Sequence, residues 1–214
     1  MTTSSKVAVI GLGNIGQAVA GNLAKSNTPF IAADRNTEKA KELSEKWNAQ
    51  ASDIPGAVKN ADIIVLAIPF GTIGGFMKDY AADLEGKIIV DPSNPIAPEE
   101  GGGFKKIIGE KESAGEINAT FLPQHAKLVK VLGTLGAGTL SQAAFQTPEK
   151  AVLFYATDDT SIDPQVEKLI NDSGFDALRI GGINQSIRIE VFGDLHEFGA
   201  LGKPVTLSEA KQKI

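Results

Sequence analysis

The run Lys6-Val7-Ala8-Val9-Ile10 passes directly into Gly11-Leu12-Gly13-Asn14-Ile15-Gly16, and then into the helical pattern Gln17-Ala18-Val19-Ala20. A strand, a turn with three spaced glycines and a helix form a unit that admits few geometries. Gly11 permits the tight turn, Gly13 lets the backbone approach a pyrophosphate, and Gly16 brings the helix close to the strand. The helix amino end then presents unpaired N–H groups and the positive end of its dipole to phosphates. A glycine-rich turn serving another ligand is the bland alternative, and the strand before it and helix after it argue against that. The unit predicts a dinucleotide site at Gly11, Leu12, Gly13, Asn14, Ile15 and Gly16.

The next apolar run ends in Ala33-Asp34-Arg35-Asn36, with Asp34 eighteen residues beyond Gly16. A carboxylate at that place grips free ribose hydroxyls and points to NAD(H). Arg35 and Lys39 point the other way, because a guanidinium and an ammonium hold the 2′-phosphate of NADP(H). Both readings stand at this stage. Asn36 caps the following helix.

Short apolar runs at residues 7–10, 30–33, 63–68, 87–90, 128–132 and 151–155 suit strands buried on both faces. Helical patterns separate them at 15–25, 37–47, 73–84, 113–122 and 163–173. This alternation predicts an α/β fold, a Rossmann doubly wound and mainly parallel sheet, over residues 1–180. Residues 181–214, interrupted by Gly193, Gly199 and Gly202, are expected to form a small C-terminal appendage packed on it. The segment 98–115, with Gly101, Gly102 and Gly103 in succession, is expected as a mobile loop.

With 214 residues and 42% of them hydrophobic, the chain can bury one substantial core. Its formal net charge of -5 gives no field for nucleic acid or anionic lipid, and no block of Lys and Arg stands out. Without cysteine there are no disulfides, thiolate metal sites or cysteine nucleophiles. No stretch reaches the roughly twenty apolar residues of a membrane span, and the first residues lack the apolar core of a secretion signal. A cytoplasmic protein is expected, and the apolar appendage suggests a homodimer.

In open α/β sheets ligands bind beyond the carboxyl ends of the strands. Two further strand ends therefore join the site: Ile68, Pro69 and Phe70 as an apolar wall beside a nicotinamide, and Asn94 and Pro95, with Asn94 a hydrogen-bond donor. Each also has a plain reading as a strand-ending turn residue.

These residues resemble a known family. Gly11 to Gly16, Asp34 to Ala40, Ala67 to Phe70, Lys87 to Pro95 and Val129 to Leu135 are similar, in that order, to the NADPH-dependent reductases of the deazaflavin coenzyme F420 and related dinucleotide-binding proteins. The resemblance implies NADP(H) as cofactor, with F420 or a flavin as partner in hydride exchange. Two places depart from it. The family pattern has Ser before the arginine that matches Arg35, where this chain has Asp34. It also has Lys-Ala-Phe-Asn where this chain has Lys130-Val131-Leu132-Gly133. By the resemblance, the acceptor pocket falls at Leu132 and Gly133; His196, in a polar and aromatic stretch of the tail, is added to it.

No triad, metal cluster or acid–base pair stands out, so no catalytic residue is assigned and no metal is expected. Hydride passing between a nicotinamide and a flavin-like ring needs stacking and exclusion of water rather than a side-chain acid. His125, in a turn before a strand, reads as a surface residue, and Trp47 as core. A metal site from Asp194, His196 and Glu197 is disfavoured, because alternating positions face different ways. Two other functions compete. A dehydrogenase of a small carbonyl or hydroxy substrate requires a proton donor, such as Lys130 or His196, and usually a large helical domain for which this chain has no room. A sensor that binds the dinucleotide without turnover requires neither. In every reading the partner is a small molecule.

Overall fold

A computed structural model describes residues 5–214. Its first half alternates β1 (Val7–Ile10), α1 (Asn14–Lys25), β2 (Phe30–Ala33), α2 (Thr37–Trp47), β3 (Gln50–Ser52), α3 (Ile54–Asn60), β4 (Ile63–Leu66), α4 (Phe70–Asp79), α5 (Ala81–Leu84) and β5 (Ile88–Asp91). There follow a hairpin of β6 (Ile96–Pro98) and β7 (Phe104–Lys106), then α6 (Ala114–Ala119), β8 (Lys127–Lys130), α7 (Ala137–Gln142), β9 (Val152–Ala156), α8 (Asp163–Asp172), β10 (Asp176–Gly181) and α9 (Leu207–Ala210).

The large sheet has the order β10-β9-β8-β5-β4-β1-β2-β3. Strands β3 to β8 of that row are parallel, while β9 joins β8 antiparallel at Lys130 and Ala156 and pairs in parallel with β10. The chain winds outward from β1 to β3 and returns to β4 on the other side of β1. That reversal opens a crevice beyond the carboxyl ends of β1 and β4, where such sheets bind ligands.

Burial on both faces explains the nearly continuous apolar strands. Along β1, Val7 and Val9 enter one core cluster with α1 and α8, and Ala8 and Ile10 enter a second with α3 and α4. Side chains alternate across a strand, so both faces of β1 must be apolar. Asn36 caps α2 through Lys39 N–H, and Trp47 packs on the core with its ring centroid 6.2 Å from that of Phe30.

The segment 98–115 departs from the expected loop. Its start belongs to the β6–β7 hairpin, with Gly101, Gly102 and Gly103 at positive φ in the turn. Beyond β10 the chain runs through a 3-10 helix, Ile183–Arg188, and irregular backbone to α9. Ile189, Leu195, Leu201, Val205 and Ala210 of this stretch bury themselves against Val152, Phe154 and Ala156 of β9. Among the described residues no helix is long and apolar enough to cross a membrane.

Candidate functional site

The turn after β1 is crowded on one side and open on the other. Gly11 has a φ of +89°, and a Cβ there would stand 2.4 Å from the Ala67 carbonyl oxygen. At Gly16 a Cβ would lie 1.8 Å from the Gly11 carbonyl oxygen, so only glycine lets α1 start this close to the turn. A Cβ at Gly13 would meet nothing within 4 Å. The space over Gly13 at the start of α1 therefore has room for a phosphate group, and the residues present fit a dinucleotide. Leu12 turns its side chain into the core and offers its N–H to Asp34.

Asp34 has a structural task. One carboxylate oxygen accepts the Leu12 N–H at 2.7 Å and the other the Asn36 N–H at 2.9 Å, tying β2 to the glycine turn. Burial pushes its carboxyl upward, but the Asn36 and Leu12 N–H groups, followed by Lys39 and Arg35, outweigh that and hold it below its ordinary value. Arg35 is exposed and Lys39 half-buried beside it.

From this turn a cleft of about 640 Å³ runs across the carboxyl ends of the strands. Gly13, Asn14 and Ile15 stand at one end, and Ile68, Pro69 and Phe70, following β4, form an apolar wall. Beyond them lie Pro92, Ser93 and Asn94 after β5, then Gly133, Leu135 and the glycine-rich start of α7 after β8. Phe104 of the hairpin and Val191, His196, Glu197 and Phe198 of the tail close the far side. Phe104 and Phe198 stand 52% and 55% exposed at its rim.

A knot of hydrogen bonds ties the tail to this far side. The Gly133 carbonyl accepts from Asn94 Nδ2 and from His196 Nε2, each at 2.9 Å, and Asn94 Oδ1 accepts the Val191 N–H at 2.7 Å. Phe198 N–H donates to His196 Nδ1 at 3.0 Å, so Nδ1 is unprotonated and the ring proton sits on Nε2. Burial pushes the His196 pKa down, outweighing the Gly133 carbonyl and Glu197, which raise it. The imidazole is thus neutral with both nitrogens committed. Gly136 N–H donates to Glu197 Oε1 at 2.7 Å.

Beneath Ser93 lies a buried ion pair. Lys130 Nζ sits 3.0 Å from Asp91 Oδ2, with side-chain exposures of 3% and 0%. It also donates to the Ser93 carbonyl oxygen, while Asp91 accepts from Asn118 Nδ2 at 2.8 Å and Ser93 N–H at 2.7 Å. The pair braces the floor of the cleft, and Lys130 is absent from its lining.

The predicted residues separate accordingly. Gly13, Asn14, Ile15, Ile68, Pro69, Phe70, Asn94, Gly133 and His196 line one cleft. Leu132 departs from the expected pocket: fully buried in the core cluster, it leaves that wall to Gly133 and Leu135. Pro95 is buried, and its carbonyl accepts the Ile107 N–H at the base of the hairpin. Asn94 spends its amide on Gly133 and Val191. His125 is exposed on the surface, at a φ of 58°. Sequence reasoning missed Phe104, Glu197, Phe198 and the stretch 135–139. The strand-end rule applied to β8, together with the glycines at 133, 136 and 138, signalled the last of these.

Comparison with known proteins bears on the same elements. Residues 6–95, the strand-and-helix units that build the glycine turn and the β4 and β5 strand ends, match the family model described as NADP oxidoreductase, coenzyme F420-dependent. An F420-dependent NADP reductase of Methanocaldococcus jannaschii is 32% identical over 104 residues, covering 43% of this chain and 46% of that protein. An opine dehydrogenase of an Arthrobacter strain is 31% identical over 128 residues, covering 51% of this chain and 34% of that one. The chain spans less than half the length of the curated relatives it matches. The crystal structure of a hypothetical protein from Sinorhizobium meliloti superimposes with a TM-score of 0.81 at 24% identity, over 96% of each chain, which shows a shared fold. The matched family model and the two curated relatives named here are oxidoreductases.

Proposed function

We propose that this chain, whose residues 6–95 match the family model of coenzyme F420-dependent NADP oxidoreductases, is an NADP(H)-dependent oxidoreductase passing a hydride between the nicotinamide and a flavin-like or deazaflavin ring. NADP(H) is the better fit of the two dinucleotides. Both carboxylate oxygens of Asp34 are engaged by backbone N–H groups, while Arg35 and Lys39 are left to meet a 2′-phosphate. Bound NADPH would supply the hydride. The chain's own part is to seat the pyrophosphate over Gly13, to hold the ring end between Pro69, Phe70 and the floor at Pro92–Asn94, and to exclude water.

The observation that carries this reading is that, among the described residues, no ionisable side chain in the cleft is poised to give up a proton. His196 spends its only N–H on Gly133, Glu197 accepts from Gly136, and Lys130 lies buried under the floor. Reduction of a small ketone requires a general acid within reach of the oxygen. Hydride transfer to a stacked ring does not.

The test is NADPH oxidation followed by absorbance, with flavins, a deazaflavin, 2-oxo acids and cyclic imines offered in turn. Turnover with a flavin or deazaflavin and none with the 2-oxo acids is the expected result. Preference for an oxo acid or imine would replace this reading with that of a small-substrate dehydrogenase. Tight NADPH binding without oxidation by any acceptor would make the protein a sensor.

A further inference from the structure

The acceptor half of the cleft has an unusual charge balance. Among the described residues, the ionisable side chains lining the cleft are His196 and Glu197 alone, with no lysine or arginine. His196 is neutral for the reasons given above, so the protein presents the acceptor with a single charged side chain in the lining, and that charge is negative.

Lys105, beside Phe104, is exposed and falls on the opposite face of β7, and the other neighbouring cations are committed elsewhere. Lys106 shares a strand face with Phe104, but its ammonium donates to the carbonyls of Glu110 and Glu112, at 3.1 and 2.6 Å. Lys130 is bound to Asp91 below the floor, and Arg188 makes a bidentate pair with Asp194. Arg35 and Lys39 sit at the ribose end, across the glycine turn. Among the described residues Oε1 of Glu197 accepts a hydrogen bond, from Gly136 N–H, while the other oxygen of this half-buried, cleft-lining carboxylate has no partner. Phe198, the next residue, and Phe104 across the opening supply apolar faces for a planar ring.

We infer that Glu197 is a specificity-determining residue, which turns the cleft toward flavin-like acceptors with a neutral side chain and against those bearing a phosphate or carboxylate near the ring. The proposal rests on the planar-acceptor reading above and narrows it to uncharged members of that class. A fixed carboxylate repels an anion within about a Debye length, ~8–10 Å at ordinary salt, and among the described residues no lysine or arginine lines the cleft to offset it.

The test compares riboflavin with its 5′-phosphate, FMN. Binding of each to the full chain saturated with NADP⁺ is read from quenching of flavin fluorescence, which needs no turnover. Riboflavin should bind roughly five- to tenfold more tightly than FMN at low salt, and the ratio should shrink as salt rises. Glu197→Gln keeps an oxygen for the Gly136 N–H and should bring the two affinities within about twofold, mainly by strengthening FMN. Equal binding of the two flavins by the unaltered protein would overturn the proposal, as would a riboflavin preference that survives in Glu197→Gln. If neither flavin binds, the planar-acceptor reading falls and takes the proposal with it. If the expected ratio appears but NADPH is not oxidised, the charge selection stands and the activity assignment alone fails.

Discussion

Replacing Gly13 by valine should abolish dinucleotide binding in a protein that still folds. The backbone at Gly13 has φ -72° and ψ -161°, an extended conformation open to any L residue, and its Cβ direction points into empty space. The cost to stability is that of a poor helix cap, about 1 kcal/mol, which lowers Tm by ~2–4 °C in a chain of this size. The cost to binding is larger, because the branched side chain fills the volume the pyrophosphate must enter. Losing two N–H contacts to a charged phosphate, at ~1.5–3 kcal/mol each, weakens the Kd by roughly a hundredfold to ten-thousandfold. Isothermal titration with NADP⁺ measures this, and thermal melting with and without ligand checks the fold: the wild type should gain Tm with NADP⁺ and Gly13→Val should not. Gly16→Val is the internal control. Its Cβ would overlap the Gly11 carbonyl, so that variant should fail to fold. Wild-type affinity in folded Gly13→Val would refute the placement of the phosphate, and a stable Gly16→Val would refute the argument from crowding.

Asp34→Ser should raise the ratio of NADP⁺ to NAD⁺ affinity by ~1–3 kcal/mol, since it removes an anion and leaves Arg35 and Lys39; an unmoved ratio in paired titrations would show that Asp34 does not face the ribose. His196→Ala should leave single-turnover hydride transfer within roughly tenfold of wild type, far short of the 10²–10⁴ expected for a general acid, and a thousandfold loss with binding intact would restore the dehydrogenase reading. The same histidine ties stability to pH. Its folded pKa lies below its unfolded one, so the unfolded chain takes up the proton first, and the contribution present above about pH 6.5 is lost as pH falls through the folded pKa. Wild type should therefore lose more Tm than His196→Gln between pH 7.5 and 5, and parallel curves would contradict this. Lys130→Ala strands the buried Asp91 carboxylate and should cost about 3–5 kcal/mol in urea unfolding, whereas a loss below 1 kcal/mol would mean the pair is not a brace.

What the sequence revealed depended on how local the causes were. The strand 30–33 and helix 37–47 are legible in the sequence to their observed limits, because unbroken apolar runs and the Asn36 cap act within a few residues. The hairpin of β6 and β7 is not legible in the sequence: each strand has only three residues, and its pairing is decided across a turn. Strand β10 was hidden by its part-polar pattern, and it exists because β9 offers it an edge. In the site, the glycine turn was legible because the backbone itself makes it. Leu132 was misplaced because its positive φ redirects the side chain into the core, a turn that no residue type announces for leucine. Glu197 and Phe198 were invisible as cleft residues, since only the tertiary approach of the tail to Gly133 brings them there.

That approach fixes an order of events during synthesis. The nucleotide turn is closed by a contact spanning 22 positions, from Leu12 to Asp34. The acceptor wall waits for contacts spanning 97 and 63 positions, from Asn94 to Val191 and from Gly133 to His196. Loop closure favours the shorter contact, so the turn proposed to seat the dinucleotide can close before the wall proposed to receive the acceptor. The same asymmetry persists in the finished molecule: if the segment around His196 opens locally, the glycine turn keeps its contacts while the far wall of the cleft is lost.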